Sequence, residues 1–364
     1  MPDPSLGRAR LVAQGLLTRP FTTPSDAVRA HVAMQGQDLP GVMASAALRT
    51  AGGTVEAVIE ALDSGELVRG YPMRGTVFLM AADDVAWVTE LASGWMLRAQ
   101  AARRGQLGLT ADLVEQASEV AQQVLVGTER GLPRTELFAH WQAVGVPTTG
   151  GAGYHVLSHL IGRGELVHGP WNGTDQNVVA TAQWLPRGND VELRFNGDVT
   201  AATAEFLLRY LTSHGPATVR DFAWWTKLPL KQVRAGLALV RDQLEASDED
   251  EPAYWRAGLA DEVDALGDEV GRPLLLPGFD EFILGYQDRL FAMAELEHDL
   301  LVPGNNGVFR RTAVRDGQVL GTWSRGGRPG KRTFELVLFE GVRVTKKLAG
   351  AYERLYRDFP WLVD

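Results

Sequence analysis

The chain has 364 residues, which at about 150 residues per domain predicts two or three domains. Hydrophobic residues make up 45% of it and charged residues 22%, as in ordinary globular proteins, so a wholly disordered chain is excluded. No apolar run approaches the roughly 18 residues that cross a bilayer, and the N-terminal sequence lacks the charged-then-apolar order of a signal peptide. The absence of cysteine excludes disulfides, thiolate metal ligands and a cysteine nucleophile. The composition therefore predicts a soluble, cytoplasmic protein.

Charge is distributed unevenly along the chain. The net charge is −9, and residues 245–269 hold ten acidic side chains and one basic side chain. Residues 302–347, in contrast, hold ten basic and three acidic side chains. A chain with this division can bind a polyanion on one face while the rest of its surface stays acidic. The alternative is that short C-terminal strands simply present lysine and arginine to solvent.

The first elements of the chain are helices. The pattern predicts a helix over 24–34 that stops at Gly36, and Asp38 is placed to cap the next helix. Gln35 and Gln37 therefore lie on the turn between these helices, and alternate side chains of an extended segment point the same way. Each amide offers an acceptor and a donor, so the pair can orient a water beside a sugar or a base. A solvated surface pair is the alternative.

A six-residue segment occurs twice. Residues 65–70, Gly-Glu-Leu-Val-Arg-Gly, recur as residues 164–169, Gly-Glu-Leu-Val-His-Gly. Each copy follows an amphipathic helix, predicted over 54–62 and 153–161, and leads into a β-rich stretch. Helix, turn, helix and β-hairpin is the order of a winged helix, whose last helix enters a DNA groove. Generic helical hairpins packed around one core are the alternative.

A third helical set follows, but its hairpin is less clear, because the acidic stretch begins at Glu245 where a hairpin should start. Its helices are predicted over 201–213, 219–225 and 230–244. After Pro303 the sequence predicts a small antiparallel sheet or barrel. Its strands are predicted over 307–314, 318–323 and 333–339, with a flexible loop over 325–332 and a closing helix over 350–356.

The predicted fold class is therefore α+β and mainly helical, with three tandem winged-helix units and a small C-terminal antiparallel β domain. The predicted boundaries are 1–105, 106–190, 191–270 and 271–364.

Other polar groups offer alternatives. His155 and His159 share a helical face near Arg163, a spacing that suits zinc, a solvated surface or phosphate contacts. Residues 149–153, Thr-Gly-Gly-Ala-Gly, precede that helix and can present amides to a phosphate, although they lack the Lys-Ser/Thr of a nucleotide-binding loop.

Two further pairs of residues are predicted to be structural. Asp280 and Glu281 follow an apolar run and are predicted to bond a neighbouring arginine such as Arg289. Trp224 and Trp225 are predicted to belong to the core.

Several segments together resemble the winged-helix DNA glycosylases of the AlkZ/YcaQ type, along nearly the whole chain. They are Gln35-Gly36-Gln37-Asp38 with Gly41 to Arg49, Arg74-Gly75-Thr76, Leu275-Leu276-Pro277-Gly278-Phe279-Asp280, Asp288-Arg289 and Gly321-Thr322-Trp323. The resemblance implies three tandem winged helices with a concave DNA-binding surface. It also implies an enzyme that removes alkylated guanine and unhooks interstrand cross-links.

The resemblance also implies the site. The family's active-site motif is glutamine, an aliphatic residue, then glutamine or aspartate, so Gln35 and Gln37 take the catalytic positions and Gly36 stands where the family prefers an aliphatic side chain. If φ at Gly36 is negative, which we expect, alanine or valine should fit there and keep or raise activity. The candidate DNA-binding residues are Arg49, Arg69, Arg74, His155, His159, Arg163, Arg325, Arg328, Lys331 and Arg332.

The chemistry fits neutral amides. Alkylation at guanine N7 makes the base cationic and a good leaving group, so an enzyme need only position a water and stabilise an oxocarbenium-like sugar. No lysine accompanies the motif, which predicts a monofunctional N-glycosylase. The sequence predicts a monomer that acts on double-stranded DNA without a metal or cofactor. The alternatives are a winged-helix regulator without catalysis and a protein whose winged helices contact only other proteins.

Overall fold

The computed structural model describes residues 2–328 and 331–361, which form a mixed α and β structure. The helices are α1 Pro4–Ala13, α2 Pro24–His31, α3 Leu39–Arg49, α4 Val55–Asp63, α5 Ala82–Ala92, α6 Gly94–Arg103, α7 Ala111–Leu125, α8 Arg134–Ala143, α9 Ala152–Gly162, α10 Thr181–Trp184, α11 Val191–Phe195, α12 Val199–His214, α13 Val219–Thr226, α14 Leu230–Val240, α15 Leu259–Ala265, α16 Glu281–Leu284, α17 Glu295–Leu301 and α18 Lys346–Arg357. Within the described residues, none of these helices has the length and apolar character needed to cross a membrane.

Twelve strands form three antiparallel sheets in the described part of the chain. The strands are β1 Ala33–Gln35, β2 Leu67–Met73, β3 Thr76–Ala81, β4 Leu166–Trp171, β5 Gln176–Ala180, β6 Ala217–Thr218, β7 Leu244–Ala246, β8 Ala253–Arg256, β9 Pro273–Leu276, β10 Arg311–Arg315, β11 Gln318–Arg328 and β12 Lys331–Leu338. Their orders are β1-β3-β2-β4-β5, β6-β8-β7 and β12-β11-β10-β9.

The two repeated segments form the centre of the five-stranded sheet. Each repeat forms the first strand of a hairpin, β2–β3 and β4–β5, and the two hairpins join because β2 pairs with β4. In that pair Arg69 lies opposite His168, and these are equivalent positions of the two repeats. Antiparallel pairing of equivalent residues relates the hairpins by a local two-fold rotation, so the first two predicted units share one sheet.

The helices before these hairpins are confirmed, and their local causes are visible. Thr54 caps α4 by accepting a hydrogen bond from the N–H of Ala57 at 3.2 Å. The apolar stripe of α4 is buried in one cluster and that of α9 in another. The buried stripe residues are Val55, Val58, Leu62, Val156, Leu157, Leu160 and Ile161.

The third helical set also ends in a hairpin. Strands β7 and β8 pair with each other, and β6, which lies between α12 and α13, pairs with β8. The acidic segment 247–252 connects β7 to β8, and its Glu251 forms an ion pair with Arg220. Acidic residues are well solvated on such a connection, so the acidic stretch forms the hairpin tip rather than replacing the hairpin.

The C-terminal sheet is larger than the sequence indicated. Strand β9 joins its edge, which the sequence analysis missed, and α18 packs against β9. The predicted flexible loop is wrong for most of its length, because β11 continues to Arg328 and β12 starts at Lys331. Its remaining residues, 329–330, lie outside the described residues. These residues continue the antiparallel pairing of the two strands, from Arg325 opposite Phe334 to Arg328 opposite Lys331.

A buried ion pair joins α3 to the segment before α16. Arg49 is 0% exposed, and its Nη1 and Nη2 donate to Asp280 Oδ2 and Oδ1, each at 2.9 Å. The prediction that Arg49 contacts DNA is therefore wrong, because its guanidinium is sequestered. The structural role predicted for Asp280 is confirmed with a different partner, because Arg289 instead donates to the carbonyl of Ile283 at 3.2 Å.

Loss of this buried pair should destabilise the fold strongly. Arg49→Met leaves the Asp280 carboxylate buried without its counter-charge, so the free energy of unfolding should fall by about 3–5 kcal/mol in urea denaturation. Arg220→Ala is the control: it removes the exposed pair with Glu251, and its effect should stay below about 1 kcal/mol. Equal losses in the two variants would contradict this role of Arg49.

Candidate active site

The predicted glutamine turn begins at the end of a short strand. Helix α2 ends at His31, and Val32 turns the chain with a φ of 64°, so the predicted helix over 24–34 is three residues too long. Strand β1 then pairs with β3, with Gln35 opposite Phe78. The extended backbone expected for this segment is therefore present, and it is anchored at the edge of the five-stranded sheet.

The two glutamines have different environments. Gln35 is 5% exposed, and its Nε2 donates to Thr76 Oγ1 at 3.3 Å. Its Oε1 accepts from the N–H of Gln37 at 3.2 Å. The side chain of Gln37 is exposed. Gln35 is thus fixed at both ends of its amide, whereas Gln37 is presented to solvent.

Arg69 fastens the turn to the second hairpin. Its Nη1 donates to the carbonyl of Gly36 at 2.9 Å, its Nη2 donates to Asp175 Oδ1 at 3.2 Å, and its Nε donates to Gln176 Oε1. Arg69 is buried, and burial lowers the pKa of its guanidinium. Its predicted contact with DNA is not supported, because its donors are engaged within the protein.

A cavity of about 520 Å³ opens between the turn and the second hairpin. Gln37, Asp38 and Thr76 line it on the first repeat's side, and His168 and Asp175 line it on the second. Burial holds the pKa of His168 well below its ordinary value, so this imidazole is neutral. The lining therefore combines neutral donors and acceptors with the carboxylates of Asp38 and Asp175 and the guanidinium groups of Arg69 and Arg134, both of which pair with Asp175.

Asp38 was expected only to cap α3. It occupies the cap position, and its side chain also lines the cavity. Burial raises the pKa of its carboxyl, while Arg311 acts in the opposite direction. A Cβ on Gly41 would lie 2.7 Å from Asp38 Oδ2, so the glycine leaves room for this carboxylate. The sequence analysis included Asp38 and Thr76 in motifs that resemble the family, but it assigned neither residue a role at the site.

Glu281 lies beneath the turn. It is 1% exposed, and its Oε1 accepts from the backbone N–H of Gln35 at 2.6 Å. Burial raises the pKa of its carboxyl to about 7. The sequence analysis predicted a structural bond to an arginine, whereas the partner is the backbone of the predicted catalytic residue. The two residues are 246 positions apart, so no local pattern could reveal the contact.

The predicted residues of α9 do not form a solvated face. His159 is buried and bonds Gln100 and Arg104, so it is not available to a phosphate in this conformation. Arg163 forms ion pairs with two carboxylates, Glu115 and Glu165, each at 2.5 Å. Across residues 2–328 and 331–361, no group of three or more histidine, aspartate or glutamate side chains could hold a metal ion.

His155 differs from its neighbour on α9. It is 9% exposed, its Nε2 has no hydrogen-bond partner within the described chain, and it lines a second cavity of about 440 Å³. This second cavity shares Tyr71, Gly75 and Tyr154 with the first, so the two adjoin. Arg74, predicted to bind DNA, also lines it.

The remaining predicted residues lie at the wing turn and on the C-terminal hairpin. Arg74 has a φ of 61°, and its guanidinium lies 4.5 Å from the ring centre of Trp224. Trp224 is only partly buried, whereas Trp225 lies in the core as predicted. On the C-terminal hairpin Arg325 lies 4.3 Å over the ring of Trp361, and Arg332 donates to the carbonyl of Gly327 at 2.9 Å. Arg328 and Lys331 are exposed.

The similarities to known proteins extend over most or all of the chain. The DNA glycosylase AlkZ-like family matches residues 28–357. The interstrand DNA cross-link repair glycosylase of Streptomyces sahachiroi is 28% identical over 323 residues, which cover 86% of this chain and 85% of that protein. The solved structure of Streptomyces sahachiroi DNA glycosylase AlkZ shares the fold, with a TM-score of 0.74 over 100% of both chains at 22% identity.

These similarities place the chain among the DNA glycosylases, enzymes that act on the N-glycosidic bonds of DNA. Within that class it belongs to the AlkZ-like family, as the sequence resemblance indicates.

Gly36 is more crowded than the sequence suggested. As expected, Gly36 does not have a positive φ. A Cβ at this position, however, would lie 3.0 Å from the N of Leu79 and 3.3 Å from Arg69 Cδ. Because the Leu79 contact is with strand backbone, Gly36→Ala should lower the free energy of unfolding by about 1–3 kcal/mol in urea denaturation, instead of fitting freely.

The matched control for this prediction is Gly105→Ala. A Cβ at Gly105 meets no atom within 4 Å, so this variant should be as stable as the wild type or more stable by about 0.4–1 kcal/mol. A Gly36→Ala variant at least as stable as the wild type would show that β3 moves aside without cost.

Proposed function

We propose that the protein is a monofunctional DNA N-glycosylase that hydrolyses the glycosidic bond of N7-alkylated guanine. The observation that supports this most is the turn itself: Gln35 is fixed by its backbone and its side chain, and Gln37 is presented at a cavity of about 520 Å³. Among its described lining residues the cavity has no lysine that could form a Schiff base, which favours attack by water.

In this mechanism the two amides have unequal roles. Gln35 Oε1 accepts the N–H of Gln37 and so fixes the backbone from which the second amide projects. Gln37 then orients the attacking water through its carbonyl oxygen. Because the alkylated base already carries positive charge, its departure needs no strong acid. The Asp38 carboxylate, when ionised, and the amide dipoles stabilise the oxocarbenium-like sugar, and the proton that the water loses on attack passes to this carboxylate. The base leaves with the electron pair of the glycosidic bond and is then neutral.

We infer three tandem winged-helix units. Each set consists of three helices followed by a hairpin: α2–α4 with β2–β3, α7–α9 with β4–β5, and α12–α14 with β7–β8. In the second set Leu132 bridges to Val178 of the hairpin, and in the third Ala217 pairs with Tyr254. A short strand after the first helix that pairs with the hairpin is the arrangement expected of a winged helix.

The DNA-binding surface we propose borders the second cavity. Cations and neutral donors line it, Arg103 and His155 among them, and its described lining residues include no carboxylate. Gly150 and Gly151, both with positive φ, present the N-terminus of α9 there, an arrangement that suits a DNA phosphate. Arg74 at the wing turn lines the same cavity, and we propose that the exposed Arg328 and Lys331 on the C-terminal hairpin make further phosphate contacts.

The substrate we propose includes bulky and cross-linked adducts. The Streptomyces sahachiroi relative is named an interstrand DNA cross-link repair glycosylase. Two adjoining cavities of about 520 and 440 Å³ offer more room than a single methylated base needs. A wide site suits an adduct that cannot be rotated out of the duplex. The enzyme would act as a monomer on double-stranded DNA and without a cofactor.

Base release tests the catalytic pair. On duplex DNA containing N7-methylguanine, Gln37→Ala and Gln35→Ala should each lower single-turnover excision by about 10²-fold or more. The first variant removes the amide that orients the water, and the second removes the bond that fixes the backbone of Gln37. Binding to undamaged duplex should be unchanged. The exposed Gln243→Ala should excise at the wild-type rate. Wild-type rates in both turn variants would exclude this motif, and binding without any release by the wild type would favour a non-catalytic DNA-binding protein.

Salt dependence tests the hairpin surface. If Arg328 and Lys331 each neutralise one phosphate, their double alanine variant should have a log Kd against log salt slope shallower by about 1.8, at about 0.9 per contact. The charge-matched control is Arg220→Ala with Arg256→Ala, which removes two cations paired to Glu251 and Glu262 and should leave the slope unchanged. An unchanged slope in the hairpin variant would mean that the hairpin faces away from DNA.

A further inference from the structure

Two buried polar side chains face each other beneath the catalytic turn. Glu281 Oε2 lies 3.5 Å from His214 Nε2, and their side chains are 1% and 0% exposed. Neither atom has a hydrogen-bond partner in the described chain. The other carboxyl oxygen of Glu281 accepts from the N–H of Gln35 at 2.6 Å. Glu281 can therefore gain a proton on its unpaired oxygen, Oε2, while Oε1 keeps its contact with the N–H of Gln35.

We propose that Glu281 is a positioning residue for base excision: as a carboxylate it holds the backbone of Gln35 and thereby the amide pair, and proton uptake by Glu281 weakens that hold. The proposal rests on the proposed function, because it assigns a control to the same turn.

The turn is held at every peptide, but only one of its contacts can change charge near neutral pH. The N–H of Gly36 donates to the carbonyl of Val77 at 2.8 Å, and its carbonyl accepts from Arg69. The N–H of Gln37 donates to Gln35 Oε1. The N–H of Gln35 alone depends on a carboxyl group, and hydrogen bonds to ionised acceptors are about twice as strong as neutral ones. Protonation of Glu281 therefore weakens the first anchor of the turn.

The charged and titratable groups around Glu281 come from several elements. They are His214 and Tyr210 of α12, Arg49 of α3, Arg74 of the wing turn, the adjacent Asp280, Tyr286 after α16 and, next to His214, His31 of α2. Arg49 and Arg74 favour the carboxylate, whereas Asp280 disfavours it. Burial raises the pKa of Glu281 to about 7 and lowers that of His214 to about 3. His31, whose pKa burial also holds well below its ordinary value, stays neutral. Proton uptake near pH 7 therefore falls on Glu281.

The decisive variant is Glu281→Gln, which keeps an oxygen for the N–H of Gln35 and cannot ionise. The quantity to measure is the ratio of wild-type to variant single-turnover excision at each pH from 5.5 to 8.5, in which titration of the substrate cancels. The ratio should be roughly 10 to 100 at pH 8.5, because a misplaced catalytic group slows the reaction by about that factor. It should approach 1 at pH 5.5, where Glu281 is protonated in the wild type.

A matched control is Glu66→Gln, an exposed carboxyl that accepts from Ser25 Oγ at 2.6 Å. Its ratio should stay near 1 at every pH. A constant ratio for Glu281→Gln, whether near 1 or large, would overturn the proposal, because a purely structural role gives no pH dependence. Absence of release by the wild type at every pH would overturn the proposed function and this proposal together.

A second readout does not depend on catalysis. Between its ordinary pKa and the raised folded pKa of about 7, Glu281 binds more protons folded than unfolded, so wild-type stability should fall as the pH rises from 5.5 through about 7 and then level off. Glu281→Gln lacks this loss, so its Tm minus that of the wild type should rise from pH 5.5 through about pH 7 and then stay constant to pH 8.5. A Tm difference independent of pH would show that Glu281 does not take up a proton in the folded state, and would overturn the proposal even in an active enzyme.

Discussion

The ion pair between Arg49 and Asp280 is the constraint on which the turn that carries Gln35 and Gln37 depends. Removing two charges from water is costly, and further hydrogen bonds offset part of this cost: Ser45 donates to Asp280, and Arg49 also donates to Gln14 Oε1 at 2.6 Å, although Arg49 Nε has no partner in the described chain. Asp280 in turn accepts the N–H of Phe282 at 2.9 Å and so starts α16. The next residue, Glu281, is thereby placed against the N–H of Gln35. The C-terminal segment thus fixes a turn near the start of the chain.

The repeated hairpins supply the other wall of the site. Because β2 and β4 pair at equivalent positions, the two repeats meet at Arg69 and His168, and both residues line the cavity. The two positions have diverged in chemistry: Arg69 binds the turn at Gly36 and the second hairpin, whereas His168 is a neutral, buried imidazole. A site between two repeats can therefore be asymmetric even though the backbone around it is nearly symmetric.

Arginine has two separate roles in this protein. Arg49 and Arg69 are internal, where a planar guanidinium satisfies several acceptors at once. Arg328, in contrast, is exposed on the long C-terminal hairpin, where a cation can reach a phosphate without leaving a buried acceptor unpaired. A basic residue near a catalytic motif is thus as much a candidate for the scaffold as for the DNA contact, and only its burial separates the two roles.

The sequence by itself determined what depends on local pattern. Helical periodicity located α4 and α9, the six-residue repeat located β2 and β4, and the spacing of Gln35 and Gln37 located the turn. Tertiary structure alone decided which groups surround that turn. Glu281 meets Gln35 across 246 residues, and Arg49 is removed from any DNA contact by a carboxylate 231 residues away. The physical reason is that periodicity reports which face of an element is buried, whereas a hydrogen-bond partner depends on how separate elements pack together.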